Sequence, residues 1–291
     1  MWKRNLVETE RGSFEYFVQG QGDPIAVTHL YSEFNELGNY FADMFLPHFT
    51  VILINLKDTG NSIRVKEDEE LSMKESVKDL EAIREALGYE CWAFGGHSTG
   101  GMLGLVYATL FPKSLTKLMV GGATASNKYM EHEQSMYSPT SPLNKRIKEI
   151  LQTLNSKESS MDERRQAGME WTDMSLYNPS NRGEYFVKPS SGKVVPRRLD
   201  YFSYHDLPRF DILQELESVT VPTVVYCGRY DAQCPLVFSE EIHKSLPHSM
   251  LVVFEESNHY PFVEEKEKFE EMISMFEGLS GGAMRLRQLR W

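Results

Sequence analysis

The chain has 291 residues, of which 41% are hydrophobic and 25% charged, and its formal net charge is −11 at pH 7. This composition is that of a soluble globular protein and excludes intrinsic disorder, collagen-like repeats and a long coiled coil. The negative charge argues against a nucleic-acid partner, because it would repel the phosphates of DNA or RNA.

Cysteine usage and hydropathy indicate the compartment. The three cysteines, Cys91, Cys227 and Cys234, are too few for a disulfide framework, and no pair of them has the spacing of a metal site. The amino terminus lacks the apolar run of a secretory signal, and no stretch approaches the roughly 18 apolar residues of a membrane span. We therefore predict a cytoplasmic protein without a membrane span, a metal site or a cofactor. The sequence does not indicate an oligomeric state.

The first part of the chain alternates strand-like and helix-like segments. β-Branched and aromatic runs predict strands at 12–18, 25–29, 49–55, 91–95 and 117–122. Between the third and fourth of these, residues 72–88 place apolar side chains at helical spacing, with Ser72 as the capping residue. This alternation is typical of a mostly parallel sheet flanked by helices.

The pattern changes over residues 124–206, which are polar and contain helix-like stretches at 143–154 and 161–174. It then resumes, and the predicted elements are the strand PTVVYCG ending at Gly228, a helix at 238–246, a strand at 250–254 and a helix at 264–279. We predict a core with a mostly parallel sheet formed by 1–123 and 207–279, with 124–206 inserted as a helical cap.

The last residues, 280–291, begin with Ser280, Gly281 and Gly282 and end in the basic stretch MRLRQLRW at 284–291. Glycine and serine favour a flexible connection. We interpret 280–291 as a flexible tail, of the kind added for expression, and assign it no role.

The most informative motif is FGGHSTGG at 94–101, which follows an apolar strand and precedes a helical run. It contains GHSTG around Ser98, the G-x-S-x-G pattern of a nucleophile elbow. The glycines are needed because strand and helix approach too closely for side chains, and the sharp turn exposes the serine hydroxyl. The alternative is a glycine-rich turn in which Ser98 only caps the helix.

A nucleophilic serine requires a histidine base that is itself oriented by a carboxylate. Asp231 follows the strand that ends at Gly228, and His259 follows the strand at 250–254. The order Ser98, Asp231, His259, each just beyond a strand, is the order expected for this architecture. Asp231 could instead cap a turn, and His259 could be a core histidine. Other candidates for the two roles are Asp200, Asp206, Asp211, His132, His205, His243 and His248.

On these motifs the chain resembles the capped serine hydrolases of the α/β-hydrolase fold, which include prolyl iminopeptidase-like enzymes, carboxylesterases and carbon–carbon bond hydrolases. The resemblance covers nearly all of the first 279 residues and is carried by FGGHSTGG, GRYDAQCP and SNHYPF. It implies an acyl-enzyme mechanism in which Ser98 attacks a carbonyl, His259 transfers the proton and Asp231 holds the imidazolium. Related dehalogenases and epoxide hydrolases are disfavoured, because they have aspartate at the elbow.

The resemblance also implies an oxyanion hole made of two backbone N–H groups. The best matches are the N–H groups of Tyr31, in VTHLYSEFN, and of Thr99, which follows the nucleophile. Leu30 stands where the family often has glycine, so this loop departs from the family pattern.

Substrate contacts are expected from the cap, where Trp171, Tyr201 and Phe202 are candidates. A prolyl iminopeptidase would need cap carboxylates to hold a free amino terminus, and the candidates are Glu131, Glu133, Glu170 and Glu184. The H-G-G-P-G loop and the tryptophan beside the nucleophile that mark the family's peptidases are absent.

We therefore predict hydrolysis of a carboxylic ester or related acyl bond of a small, partly apolar substrate. Prolyl iminopeptidase-like aminopeptidase activity is the alternative, and it would make the substrate a small amide. A hydrolase fold that has lost catalysis and binds a ligand is the third hypothesis.

Overall fold

The computed structural model describes residues 1–279 and the backbone of 287–290. Its strands are β1 (Lys3–Thr9), β2 (Gly12–Gly20), β3 (Asp23–Val27), β4 (Ser32–Glu33), β5 (Phe49–Ile54), β6 (Trp92–His97), β7 (Leu115–Gly121), β8 (Lys193–Val194), β9 (Thr223–Gly228), β10 (Ser249–Phe254) and β11 (Arg287–Arg290). Its α-helices are α1 (Tyr40–Asp43), α2 (Met73–Ala86), α3 (Thr99–Leu110), α4 (Asn144–Asn155), α5 (Met161–Met174), α6 (Arg182–Tyr185), α7 (Pro196–Tyr201), α8 (Leu213–Leu216), α9 (Leu236–Ser245), α10 (Pro261–Glu264) and α11 (Lys266–Glu277).

The central sheet has the strand order β1-β2-β5-β3-β6-β7-β9-β10-β11. The pairs β1–β2 and β2–β5 are antiparallel, and all the other neighbouring pairs are parallel. The predicted fold class, a mostly parallel sheet flanked by helices, is confirmed. Strand β1 was not expected from the sequence, because it lies at the edge of the sheet and most of its side chains are exposed.

Successive residues of each buried strand face opposite layers of the core, because the side chains of a strand alternate between its two faces. In β5, Ile52 and Ile54 face a cluster that includes side chains of α2, α3 and α9. Val51 and Leu53 face the other cluster, which includes side chains of α1 and α11. The carboxyl ends of the parallel strands therefore lie between two helical layers, where loops can converge.

The segment between β7 and β9 is mostly helical, and we call residues 124–206 the cap segment. Helices α4 and α5 pack on each other through a small apolar cluster that includes Ile147, Ile150 and Ala167. The short strand β8 of this segment pairs antiparallel with β4 of the core. The cap segment is thus attached by backbone hydrogen bonds to the part of the core that follows β3 in the chain.

Residues Arg287–Arg290 pair in parallel with β10 at the edge of the sheet. The outer edge of β10 offers backbone groups with which such a strand can pair. The interpretation of 280–291 as a flexible tail stays a prediction. The other tail residues, 280–286 and 291, lie outside the described residues. In the described part of the chain, no helix is both long enough and apolar enough to cross a membrane.

Candidate active site

Ser98 lies at the turn between β6 and α3, and its backbone is strained. Its φ is 56° and its ψ is −127°, a conformation that L-residues rarely adopt. The Ser98 side chain makes no capping hydrogen bond to the first turn of α3, while its N–H donates to the carbonyl oxygen of Gly121 at 2.8 Å. This geometry fits a nucleophile elbow better than a serine that only caps a helix.

The glycines around Ser98 are required by close backbone contacts. A Cβ atom on Gly96 would lie 2.1 Å from the carbonyl oxygen of Gly100, and a Cβ on Gly100 would lie 2.4 Å from the carbonyl oxygen of Thr28. Because the obstructing atoms belong to the backbone, a side chain could be accommodated only by moving the elbow itself.

Gly100→Ala should therefore displace the elbow. We expect it to lower the free energy of unfolding by about 1–3 kcal/mol through overpacking, and to slow the reaction of Ser98 with a fluorophosphonate. Urea denaturation and the labelling rate measure the two effects. Gly183→Ala in α6 is the control, because a Cβ there meets no atom within 4 Å. A Gly100→Ala protein as stable and as reactive as the control would contradict this interpretation of the turn.

Asp231 and His259 form a buried pair. His259 Nδ1 lies 2.8 Å from Asp231 Oδ2, and the two residues are 2% and 3% exposed respectively. The other carboxylate oxygen, Oδ1, accepts the backbone N–H groups of Gln233 at 2.9 Å and Cys234 at 2.8 Å. The carboxylate is thus fixed by its own loop and orients the imidazole through Oδ2.

The alternative acids and bases lie elsewhere. Asp200 accepts from Asn155 Nδ2, Asp206 from the N–H of Met73, and Asp211 from the N–H of Leu213. The alternative histidines do not line the cavity that contains Ser98, and they are His132, His205, His243 and His248. Among the sequence-predicted candidates, the structure thus brings Asp231 to His259, and it places His259 with Ser98 in one cavity. Their catalytic roles stay predictions.

Two further histidines surround the pair. The ring of His97 lies 4.5 Å from that of His259, and its Nδ1 lies 2.9 Å from the hydroxyl of Tyr226. His29 Nε2 lies 3.0 Å from Thr99 Oγ1. Burial lowers the pKa of His29 to about 3 and that of His97 well below its usual value, and the nearby His259 adds to both shifts. Both side chains are therefore neutral at neutral pH.

These neutral histidines predict a pH dependence of stability. Below pH ~6.5 the unfolded chain binds protons at these two positions that the folded chain does not, so the free energy of unfolding should fall by about 1.4 kcal/mol per pH unit for each group. Urea denaturation at several values between pH 5 and pH 7.5 measures the slope. His29→Asn should reduce the slope by the contribution of one group, about 1.4 kcal/mol per pH unit. An unchanged slope would contradict the assignment of a lowered pKa to His29.

A cavity of about 460 Å³ contains Ser98 and His259 and is walled by both the core and the cap segment. Much of its wall is aromatic, and the Phe, Tyr and Trp rings are those of Tyr31, Phe34, Tyr40, Phe41, Trp171, Phe186, Tyr260 and Phe262. Of the described residues that line it, none is aspartate or glutamate. The cationic side chains on the wall are Arg182, which pairs with Asp173, and Lys188, which pairs with Asp43.

The carboxylates expected to hold a substrate amino terminus are not in this wall. Glu131, Glu133, Glu170 and Glu184 all lie outside the cavity lining, and Glu170 is paired with Arg146. Among the described residues, no group of three or more His, Cys, Asp or Glu side chains is placed to share a metal ion.

The cap candidates divide into one that lines the cavity and two that do not. Trp171 is part of the wall. Tyr201 stacks on His205, with ring centroids 4.7 Å apart, and lines a different cavity, while Phe202 is buried against Tyr31. Neither Tyr201 nor Phe202 lines the cavity that contains Ser98, and the role of the three cap candidates as substrate contacts stays a prediction.

The two predicted oxyanion donors belong to the loop after β3 and to the start of α3. Tyr31 lines the cavity, and its N–H is directed at His29 Nδ1 at a long distance of 3.5 Å. Thr99 is the first residue of α3, where N–H groups have no partner inside the helix. The Tyr31 N–H thus has a distant acceptor in His29, and Thr99 is not among the residues that line the cavity. The role of the two N–H groups as an oxyanion hole stays a prediction.

Sequence reasoning missed Gln233, which also lines the cavity. Its amide oxygen accepts from the hydroxyl of Tyr137 at 2.7 Å, and its amide nitrogen donates to Ser175 Oγ at 2.9 Å. The signal available in the sequence was its position two residues after Asp231, in the loop that was already expected to reach the site.

A family model described as the alpha/beta hydrolase fold matches residues 20–266. The chain is 48% identical to the solved structure of an alpha/beta fold family hydrolase from Bacillus anthracis str. Sterne, with a TM-score of 0.93 and coverage of 95% of this chain and 99% of that chain. It is 25% identical over 255 residues to a proline iminopeptidase of Saccharolobus solfataricus, covering 81% of this chain and 78% of that protein. It is 23% identical over 283 residues to an AB hydrolase superfamily protein of Bacillus subtilis, covering 93% and 97%.

The fold and these matches define the class of protein. The chain belongs to the α/β-hydrolase family, and the predicted resemblance to its prolyl iminopeptidase-like members is confirmed. It is an enzyme, a hydrolase of the α/β fold.

Proposed function

We propose that the protein is a serine hydrolase that cleaves a carboxylic ester, or a related acyl bond, of a small and partly apolar substrate. The observation that carries the proposal is the buried Asp231–His259 hydrogen bond of 2.8 Å in the same cavity as Ser98, whose φ is 56°. Strain at a serine and a carboxylate-oriented imidazole are the features that activate a hydroxyl nucleophile. We extend the proposal to a cytoplasmic location, on the cysteine usage alone.

The mechanism follows from these positions. Ser98 Oγ attacks the substrate carbonyl carbon while His259 Nε2 accepts the hydroxyl proton, and Asp231 stabilises the resulting imidazolium through Nδ1. The tetrahedral oxygen accepts hydrogen bonds from the N–H groups of Tyr31 and Thr99. The ester C–O bond then breaks, and the alcohol leaves with the proton from His259. Water attacks the acyl-enzyme in the same way and releases the acid and free Ser98.

The cavity wall favours an ester over a peptide substrate. A free amino terminus is cationic, and its burial requires a carboxylate partner. The described residues of the wall include no carboxylate and two basic side chains, Arg182 and Lys188. The aromatic rings of the wall suit an apolar acyl group instead.

Prolyl iminopeptidase-like activity is the second candidate, and it is favoured by the curated relatives. Several of the matching proteins are named proline iminopeptidase, at identities of 24–27%. The same serine, histidine and aspartate would serve amide hydrolysis, so the two candidates differ in the substrate and not in the chemistry.

The test combines a reactivity probe with two substrate series. The purified protein is treated with a fluorophosphonate and its intact mass is measured, with the labelled peptide mapped. Hydrolysis is then measured on p-nitrophenyl esters of increasing acyl length and on proline p-nitroanilide. Labelling of Ser98 with turnover of esters supports the proposal, and faster turnover of the prolyl amide would favour the second candidate. A protein that is not labelled and turns over neither series, yet is stabilised by an apolar ligand, would be a ligand-binding protein.

A further inference from the structure

Arg198, in α7 of the cap segment, reaches into the core. It is 1% exposed, and its guanidinium donates to the carbonyl oxygen of Leu30, to that of Lys57 at 2.9 Å and to Ser76 Oγ at 2.8 Å. A longer contact of 3.5 Å reaches the carbonyl oxygen of Leu71. A single side chain of the cap segment thus joins α7 to the loop after β3 and to the start of α2.

The hydrogen-bond partners of Arg198 are all neutral, which is unusual for a buried cation. Burial lowers the pKa of Arg198 to about 10, against the opposing influence of Asp79, Asp58 and Asp206, so the side chain is still cationic at neutral pH. An apolar residue could attach α7 to the core without this desolvation penalty. The charge and the planar shape of the Arg198 guanidinium are therefore better explained by their effect on the groups that accept its hydrogen bonds.

One of those groups belongs to the predicted oxyanion loop. The carbonyl of Leu30 and the N–H of Tyr31 are parts of the same planar trans peptide, so they point in opposite directions. When Arg198 holds the carbonyl on the cap side of the loop, the N–H must point away, towards the side on which His29 Nδ1 lies 3.5 Å from it. The cation also polarises the peptide, which makes the N–H a stronger donor.

The cap segment holds the next peptide of this loop as well. The carbonyl oxygen of Tyr31 accepts the N–H of Val195 at 2.8 Å, and Ser32 of β4 pairs with Val194 of β8. The carbonyl groups of Leu30 and Tyr31 are therefore both fixed by the cap segment.

We propose that Arg198 is a positioning residue that sets the orientation of the Leu30–Tyr31 peptide, so that the N–H of Tyr31 donates to the oxyanion of an acyl-transfer reaction. This inference rests on the proposed function. It explains how the loop works with leucine where the family often has glycine, because the peptide plane is held by Arg198 and by the buried Leu30 side chain, which is 1% exposed. The cap segment then completes the catalytic site as well as covering the cavity.

The test compares Arg198→Met with Arg197→Met, a matched control. Arg197 is adjacent in α7, but its side chain is 50% exposed and pairs with Asp58 and Asp68. With the best p-nitrophenyl ester, we expect Arg198→Met to lower kcat by about 10- to 100-fold and to change KM less than about threefold, because a donor to the transition state is displaced. Arg197→Met should leave both constants within about twofold.

Two further measurements separate positioning from a merely structural role. The affinity for a trifluoromethyl ketone, whose adduct with Ser98 bears an oxyanion, should fall by the same factor as kcat/KM. In Arg198→Ala, added guanidinium chloride below denaturing concentrations should restore part of kcat, whereas sodium chloride at equal ionic strength should not.

The inference would be overturned by a folded Arg198→Met protein with kcat within threefold of wild type, or with a change confined to KM. If Arg198→Met does not fold, Arg198→Lys is the deciding variant, because one ammonium cannot reach Leu30, Lys57 and Ser76 together. An unchanged kcat in Arg198→Lys would refute the positioning role of Arg198. A wild-type protein that reacts with neither a fluorophosphonate nor any ester would instead overturn the proposed function, and this inference with it.

Discussion

Replacement of Ser98 by alanine should lower kcat for the best ester by about 10⁵- to 10⁶-fold, the loss seen when a nucleophile that works with a histidine is removed. The expected cause is that Ser98 Oγ forms the acyl bond, and no other described serine or threonine hydroxyl shares its strained position at a helix start. Fluorophosphonate labelling should disappear completely. Initial rates and intact mass measure the two effects.

The fold of the Ser98→Ala protein should be unaffected, because the serine hydroxyl caps no helix and alanine meets the same backbone strain. Circular dichroism and the thermal midpoint should match those of wild type within the usual range for a surface substitution. Ser218→Ala, at an exposed position, serves as the control with full activity. Adduct formation on another residue in Ser98→Ala, or substantial remaining turnover, would place the nucleophile elsewhere.

The elements that the sequence predicted well are those specified by local patterns. The helix predicted at 72–88 is observed as Met73–Ala86, with the Ser72 hydroxyl accepting the N–H of Glu75 at 3.3 Å. The central strands were recognised because they are buried on both faces and read as continuous apolar runs. The elbow was recognised because close backbone contacts demand glycines at fixed positions around Ser98.

The features that were missed depend on contacts between distant parts of the chain. Strands β4 and β8 are two residues long and have no periodicity of their own, so their pairing is set by how the cap segment docks. Nothing in the local sequence distinguishes Arg198, which is buried, from Arg197, which is exposed. The cap residues Tyr201 and Phe202 were assigned to the cavity by composition, which does not report which way a helix faces.

Replacement of Asp231 by asparagine should lower kcat by about 10⁴-fold with little change in KM, because it reverses the hydrogen bond to His259. Asp231 Oδ1 already accepts two backbone N–H groups, so an asparagine would keep its carbonyl oxygen there. Its NH₂ group would then replace Oδ2, at 2.8 Å from His259 Nδ1.

An NH₂ group at that position can only donate, and His259 Nδ1 would have to accept. The single proton of the neutral imidazole would then lie on Nε2, the nitrogen that must accept the proton of Ser98. Nitrogen-15 NMR of the side chain should detect this change of tautomer, with the protonated nitrogen moving from Nδ1 in wild type to Nε2 in Asp231→Asn. The matched control is Asp211→Asn, since Asp211 is exposed and its partners are Lys128 and the N–H of Leu213. Loss of activity without the tautomer change would show that Asp231 acts mainly by supporting its loop, whereas unchanged activity would remove Asp231 from the catalytic group.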